Sequence, residues 1–211
     1  VNAARATFTV LVLLPVLAAC GRTPSGPAPE PAAAEASSAA PALPSTAPEE
    51  VAADLYAVLG TLRPSGAPTD EQRMRLAPLL SAELIGLLQR ADAARTAART
   101  AAPTEKPPFT DGDLFSSLFE GPTAYAVGKP VPGADAPGGR LGDLRVPVTL
   151  THGAEDPAIV AAERTTWTDV VLLREENGRF VVADIAFGGD WDFANKGSLV
   201  TALRAGLGEQ D

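Results

Sequence analysis

Apolar positions along the chain change period twice. Val51, Leu55, Val58, Leu59 and Leu62 recur every three or four residues, the spacing of one helix face. Thr46-Ala47-Pro48-Glu49 in front of them fits a capping box with proline in the first turn. Pro64 and Gly66 end that helix. Thr69-Asp70-Glu71-Gln72 reads as a second capping box, opening a short helix that Pro78 interrupts. Ser81 caps the longest helix. Leu84, Leu87, Leu88, Ala91, Ala94, Arg95 and Ala98 trace its stripe, bulky at the start and thin at the end, and Pro103 stops it. One or two more helical turns are expected over 111–119, with Leu114, Phe115, Leu118 and Phe119 inward and Gly121-Pro122 as the stop.

Beyond Thr123 the period falls to two. Leu144, Val146, Val148 and Leu150 alternate with Arg145, Pro147, Thr149 and Thr151. Pro147 has no N–H for a ladder, which places that strand at an edge or at a bulge. Trp167–Arg174 and Arg179–Phe187 flank Asn177-Gly178, a strong short-range hairpin signal. Ser198 caps a last helix carrying Leu199, Leu203 and Leu207. Helices, then an antiparallel sheet, then a short helix make an α+β pattern.

A two-residue turn at Asn177-Gly178 sets the hairpin register. Regular pairing puts Glu176 opposite Arg179, Leu173 opposite Val182, Val171 opposite Asp184 and Asp169 opposite Ala186. One face then carries Val170, Leu172, Val181, Ala183, Ile185 and Phe187. The other carries Trp167, Asp169, Val171, Leu173, Phe180, Val182 and Asp184. On that face Asp169 and Asp184 become diagonal neighbours, about 7–8 Å apart at the backbone. Two acids on a mixed apolar face are candidates for a general base, because burial and mutual repulsion raise carboxylate pKa values. The competing reading, favoured by the frequency of structural carboxylates, is that each accepts hydrogen bonds from backbone N–H groups or a hydroxyl.

The N-terminus changes the picture. Residues 1–19 hold one positive charge, Arg5, and an apolar run from Ala6 to Ala19. As a helix that run would span about 21 Å, short of a hydrocarbon core of roughly 30 Å. It reads as a secretory signal. It ends in Leu17-Ala18-Ala19-Cys20-Gly21, which resembles the lipobox of bacterial lipoproteins. The resemblance implies cleavage before Cys20, acylation of Cys20 and a lipid anchor in the cell envelope. Gly21 in place of Asp points to the outer membrane, facing the periplasm. Residues 20–48 are then the acylated cysteine and a disordered Pro- and Ala-rich tether that cannot bury a core. Residues 49–211 remain as a single domain.

Charge and composition close other classes. The net charge of −9 over 211 residues argues against a nucleic-acid partner. One cysteine and one histidine exclude an internal disulfide, a multi-thiolate zinc site and paired-histidine metal motifs. No cofactor and no metal is expected. His152 ends an alternating strand and is a weak proton-donor candidate. Phe187, Trp191 and Phe193 beside Gly188-Gly189 form either a lid or a plug for the core.

The order of elements, with Trp167-Thr168-Asp169-Val170-Val171-Leu172 and Asn177-Gly178-Arg179-Phe180-Val181-Val182-Ala183-Asp184-Ile185, resembles the nuclear-transport-factor-two-like superfamily, also called SnoaL-like. Gly112–Gly121 and Phe193–Leu199 are similar to segments of small secreted bacterial proteins. The resemblance spans about residues 50–207. It implies a cone: helices in the concavity of a bent antiparallel sheet, the long one innermost, with a pocket at the open end. Superfamily enzymes place Asp or His in the cone, while many other members only bind. Three functions are therefore weighed. The first is a non-catalytic envelope lipoprotein binding a small apolar ligand or an envelope protein, with Trp167, Asp169, Asp184, Phe180 and Trp191 as candidate contacts. The second is a lyase or isomerase with Asp184 as base beside Asp169. The third is a structural or immunity-type interaction module.

Overall fold

The computed structural model describes residues 47–133, 140, 142–153 and 164–209. The signal at 1–19, Cys20 and the tether up to residue 46 lie outside the described residues. Helix α1 spans Pro48–Leu62, α2 Asp70–Leu76 and α3 Ala82–Ala101. Strands follow: β1 Ala124–Val127, β2 Val131–Pro132, β3 Leu144–His152, β4 Thr165–Glu176 and β5 Arg179–Ala186. Helix α4, Leu199–Gly206, closes the order. The fold class is α+β, with one open antiparallel sheet in the order β1-β3-β4-β5 and β2 paired to β3.

The caps mostly form where local chemistry places them. Thr69 and Gln72 make a complete capping box, with Gln72 N–H on Thr69 Oγ1 at 3.4 Å and Thr69 N–H on Gln72 Oε1 at 2.9 Å. Ser81 Oγ accepts from Leu84 N–H at 3.1 Å, and Ser198 Oγ from Thr201 N–H at 3.3 Å. Helix α1 departs from expectation. Its N-cap is Ala47, with no side-chain cap, rather than Thr46. Pro48 accounts for the difference: it sits at N1, where its missing N–H costs nothing, and it holds the residue before it extended. Pro48, assigned above to the tether, is thus the first helical residue.

Arg95, counted above on the apolar stripe of α3, is buried but paired. Arg95 and the buried Arg73 of α2 both donate to Asp92, Arg73 at 2.8 Å. Arg73 also donates to the Pro68 carbonyl at 2.6 Å and Arg95 to the Ala67 carbonyl at 2.7 Å. Burial opposes the charge on Asp92, yet the two arginines outweigh it and hold the carboxyl below its usual range. This cluster ties α2 and the Ala67-Pro68 linker onto α3.

One sheet face carries Val146, Val148, Leu150, Trp167, Val171, Leu173, Val182 and Ile185. All are buried in one cluster with Leu55, Tyr56, Leu84, Leu87, Leu88 and Phe115. Helix α1, not the longer α3, runs across β1, β3 and β5; α3 meets the sheet chiefly at β5. The implied placement of the long helix innermost is therefore corrected. The alanine-thin half of α3 cannot fill a concavity, whereas Leu55, Tyr56 and Leu59 of α1 can.

Pro147 lies in an interior strand, but its backbone faces the gap between β1 and β2. Its carbonyl accepts Gly128 N–H at 2.8 Å there. The missing donor thus falls where no ladder partner is required.

Residues 111–119 form an irregular loop, not a helix. Asp113 Oδ1 captures Phe115 N–H at 2.7 Å, and Asp113 N–H bonds Phe119 O at 2.7 Å. These local bonds replace helical ones. Phe115 and Leu118 turn inward, while Phe119 is exposed.

The hairpin turn is as expected, with Asn177 and Gly178 both at positive φ, 53° and 77°. Pairing runs in register from Glu176–Arg179 to Leu173–Val182, then slips by one residue. Val171 meets Ile185 and Leu172 meets Asp184. This β-bulge at Ala183 puts Ile185 in the core and turns Asp184 to the opposite face from Asp169. The expected diagonal pair of carboxylates does not exist. Burying Ile185 in place of an aspartate is the driving difference.

Candidate functional site

Asp169 is fully buried on β4 and its carboxylate is saturated. Oδ2 accepts from Ser117 N–H at 2.9 Å and from the Trp167 indole N–H at 3.0 Å. Oδ1 accepts from Gly188 N–H at 2.9 Å and from the Ser117 hydroxyl. Ser117 Oγ in turn accepts Gly189 N–H at 2.9 Å. The group is a structural knot joining β4, the 111–121 loop and the segment after β5. Gly188 and Gly189 are required by closeness: a Cβ on Gly188 would collide with the Thr168 carbonyl oxygen, and one on Gly189 would lie 2.8 Å from Ser117 Cβ.

Asp184 serves α4. Its Oδ1 accepts Val200 N–H at 2.9 Å and Ile185 N–H at 2.8 Å, so it caps the helix from a neighbouring strand. Burial raises its pKa, with the bonds from Val200, Ser198 and Ile185 opposing that rise. Both carboxylates are engaged in bonds that hold neighbouring segments together.

The aromatic segment closes the core. Trp191 meets Trp167 edge to face with centroids 5.7 Å apart. Lys196 Nζ pins the loop through the Gly189 and Trp191 carbonyls at 2.9 and 2.8 Å. Asn195 Nδ2 donates to Ser116 O at 2.8 Å and to Asp113 O at 3.3 Å. Phe193 is left 80% exposed. Phe180 packs on the core at its margin.

A pocket lies elsewhere, with a cavity of about 310 Å³, near the lower end of ligand sites. The second half of α1 supplies Tyr56, Ala57, Leu59 and Gly60, and Arg63 and Pro64 follow. Asp113 and Glu120–Thr123 form the opposite wall; Ala124, Tyr125 and His152 complete it from β1 and β3. Of the candidates named from sequence, only His152 lines this pocket. Trp167, Asp169, Asp184, Phe180 and Trp191 do not.

Gly121 organises the polar side of the pocket. Its carbonyl accepts from His152 Nδ1 at 2.7 Å, which makes Nδ1 a proton-bearing nitrogen. Its φ of 73° requires glycine, and its bare Cα faces Asp113 Oδ2, which a Cβ would approach to 2.6 Å. Asp113 has two partners, Phe115 N–H at 2.7 Å and the Ser116 hydroxyl at 3.2 Å. Burial pushes its carboxyl up to about 6; these two bonds oppose the rise and the Asp169 charge adds to it.

Tyr56 lines the same pocket as this acid. It is 3% exposed, and its hydroxyl has no hydrogen-bond partner among the described residues. Burial, then the Asp169 and Asp113 charges, push its phenol well above the ordinary range, so it stays protonated. Its ring lies 5.6 Å from that of Tyr125. Sequence reasoning missed Tyr56, Asp113, Glu120 and Tyr125. The available signal was slight: Asp113, flanked by Gly112, precedes a run of buried residues inside the stretch 111–119, whose pattern predicts helical turns. No family model, curated protein or solved structure matches this chain.

Proposed function

We propose that the protein is an envelope lipoprotein, acylated at Cys20, whose domain binds a small and largely apolar molecule in the Tyr56–Tyr125 pocket. The observation that carries the binding reading is the buried, unpartnered Tyr56 hydroxyl in the wall of an otherwise mostly apolar cavity. Leaving such a group unbonded costs about 1–3 kcal/mol, which a ligand with a matching polar atom recovers. The saturated bonds of Asp169 and the capping role of Asp184 favour binding over chemistry at those carboxylates. An outer-membrane position facing the periplasm goes with the Cys20-Gly21 sequence.

Gly60 lines the pocket and has open space where a side chain would extend. Gly60→Phe is therefore expected to fill the cavity without disturbing the fold. Fragments of about ten heavy atoms should raise the melting temperature of the wild type and leave Gly60→Phe unmoved. No fragment binding at millimolar concentration would end the pocket reading. For the anchor, Cys20→Ser expressed in a bacterial host should move the protein from the membrane pellet to the soluble fraction. Retention in the pellet would refute acylation at Cys20.

A further inference from the structure

Asp113 is a carboxylate in a pocket wall with no cationic partner among the described residues. Its two bonds come from one N–H and one hydroxyl, both neutral, and none of the observed ion pairs includes it. Buried anions are normally matched by a cation, because the interior stabilises a lone charge poorly. The groups facing Asp113 do not supply that match. From α1 come the neutral Tyr56 phenol and, at the exposed end of the pocket, Arg63, whose Nε turns back to the Gly60 carbonyl at 3.4 Å. From the 111–121 loop comes Glu120, a second acid. From β3 comes His152, whose protonated nitrogen is already spent on Gly121 O. From β1 comes Tyr125, and from β4, behind the wall, the Asp169 charge. The Tyr56 hydroxyl is a second, independent sign of an absent partner. It is buried and unbonded, belongs to a residue that lines the same pocket, and feels the charges of both Asp169 and Asp113. Two tyrosine rings 5.6 Å apart line the same pocket, and aromatic faces carry the negative potential that attracts a cation.

We infer that the pocket is built for a small organic ammonium: an amine with an apolar body, its N–H groups shared between Asp113 and the Tyr56 hydroxyl, its charge lying against the tyrosine faces. This inference rests on the pocket reading above and names the ligand's charge. A neutral or anionic ligand would place no counter-charge against Asp113, and an anion would meet Glu120 as well. The ammonium also links binding to pH. At neutral pH Asp113 is ionised and attracts the cation. As pH falls through about 6 the carboxyl takes up a proton and the attraction is lost.

Three probes with the same ring separate the possibilities: 2-phenylethylamine, 2-phenylethanol and phenylacetate. Binding of each to the folded domain is measured by calorimetry or by NMR shifts at pH 7.5 and pH 5. At pH 7.5 the amine is expected to bind about tenfold or more tighter than the alcohol, and phenylacetate weakest. At pH 5 the advantage of the amine should shrink severalfold. Asp113→Asn should abolish both the advantage and its pH dependence, while Gly60→Phe should block all three probes. If the alcohol or phenylacetate equals the amine and Gly60→Phe still blocks them, the pocket stands and the ammonium inference falls. A pH dependence of amine binding that survives Asp113→Asn belongs to another group and overturns the role given to Asp113. Absence of binding by all three probes removes the inference together with the pocket reading. Chemical denaturation of Asp113→Asn at both pH values shows that any loss of binding occurs in a folded protein.

Discussion

Asp169→Asn is expected to destabilise the protein by about 3–5 kcal/mol, although it changes one atom in the core. Each carboxylate oxygen takes two donors, Ser117 N–H and Trp167 Nε1–H on one, Gly188 N–H and the Ser117 hydroxyl on the other. An amide presents one acceptor and one donor group. Whichever way it turns, its NH₂ points at an N–H that loses its partner: those of Ser117 and Trp167 in one orientation, that of Gly188 in the other. The damage should spread to the segment after β5, because Gly188 and Gly189 are held through the same knot. Urea denaturation followed by tryptophan fluorescence reads the loss, and hydrogen exchange at Gly188 and Gly189 reads its location. Asp184→Asn is the matched control. There one oxygen receives both Val200 N–H and Ile185 N–H, and an amide oxygen can do the same. A cost for Asp169→Asn no greater than for Asp184→Asn would show that the knot contributes little.

Asp113→Asn is expected to act in the opposite direction and stabilise the protein by about 2–3 kcal/mol at pH 7.5. The folded pKa of about 6 lies above the unfolded value, which is about 3.9. Between those values the folded state holds a proton that the unfolded state has released. The contribution of Asp113 to stability is thus fully present below about pH 4 and is lost as pH rises through about 6. Asparagine removes the ionisation. It also suits the local bonds: its oxygen can accept Phe115 N–H, and its NH₂ can donate to Ser116 Oγ while that hydroxyl donates to the Leu118 carbonyl at 3.0 Å. The gain should vanish at pH 4, flattening the pH profile of the urea midpoint. An unchanged midpoint at pH 7.5 would mean that Asp113 is not strained in its charged form. A residue whose removal stabilises the fold is one retained for another purpose, as at many binding sites.

Local chemistry made most of the architecture readable. Thr69, Ser81 and Ser198 announce helix starts because a hydroxyl or amide beside an apolar stripe has one good use there. Asn177-Gly178 announces the turn because both positions need positive φ. The bulge at Ala183 is different. A single-residue slip has no local signature, since Val182, Ala183, Asp184 and Ile185 suit a strand in either register. Only the competition to bury Ile185 against Val171 decides it, and that depends on the opposite strand. The acids were mispaired for this reason. The pocket was illegible for a related one. Tyr56, Gly121, Tyr125 and His152 lie up to 96 positions apart, and Asp113 became conspicuous only once the loop around it proved not to be a helix.

The sheet margins carry a consequence for behaviour at high local concentration. Along β5, Leu79–Ser81 and Ser198 occupy the outer hydrogen-bonding positions: Ser81 N–H reaches Val182 O and Val182 N–H reaches Leu79 O, both at 2.8 Å, and Ser198 bridges Ala186. On the other margin, β1 and β2 offer four and two residues, separated by Gly128-Lys129-Pro130 and ending in Pro132. Neither margin among the described residues presents a long, flat row of free N–H and C=O groups. Molecules held on a membrane by a lipid, as proposed here, meet one another in two dimensions with their domains side by side. Crowding of that kind promotes edge-to-edge strand pairing and aggregation, and these short, blocked margins deny it a template.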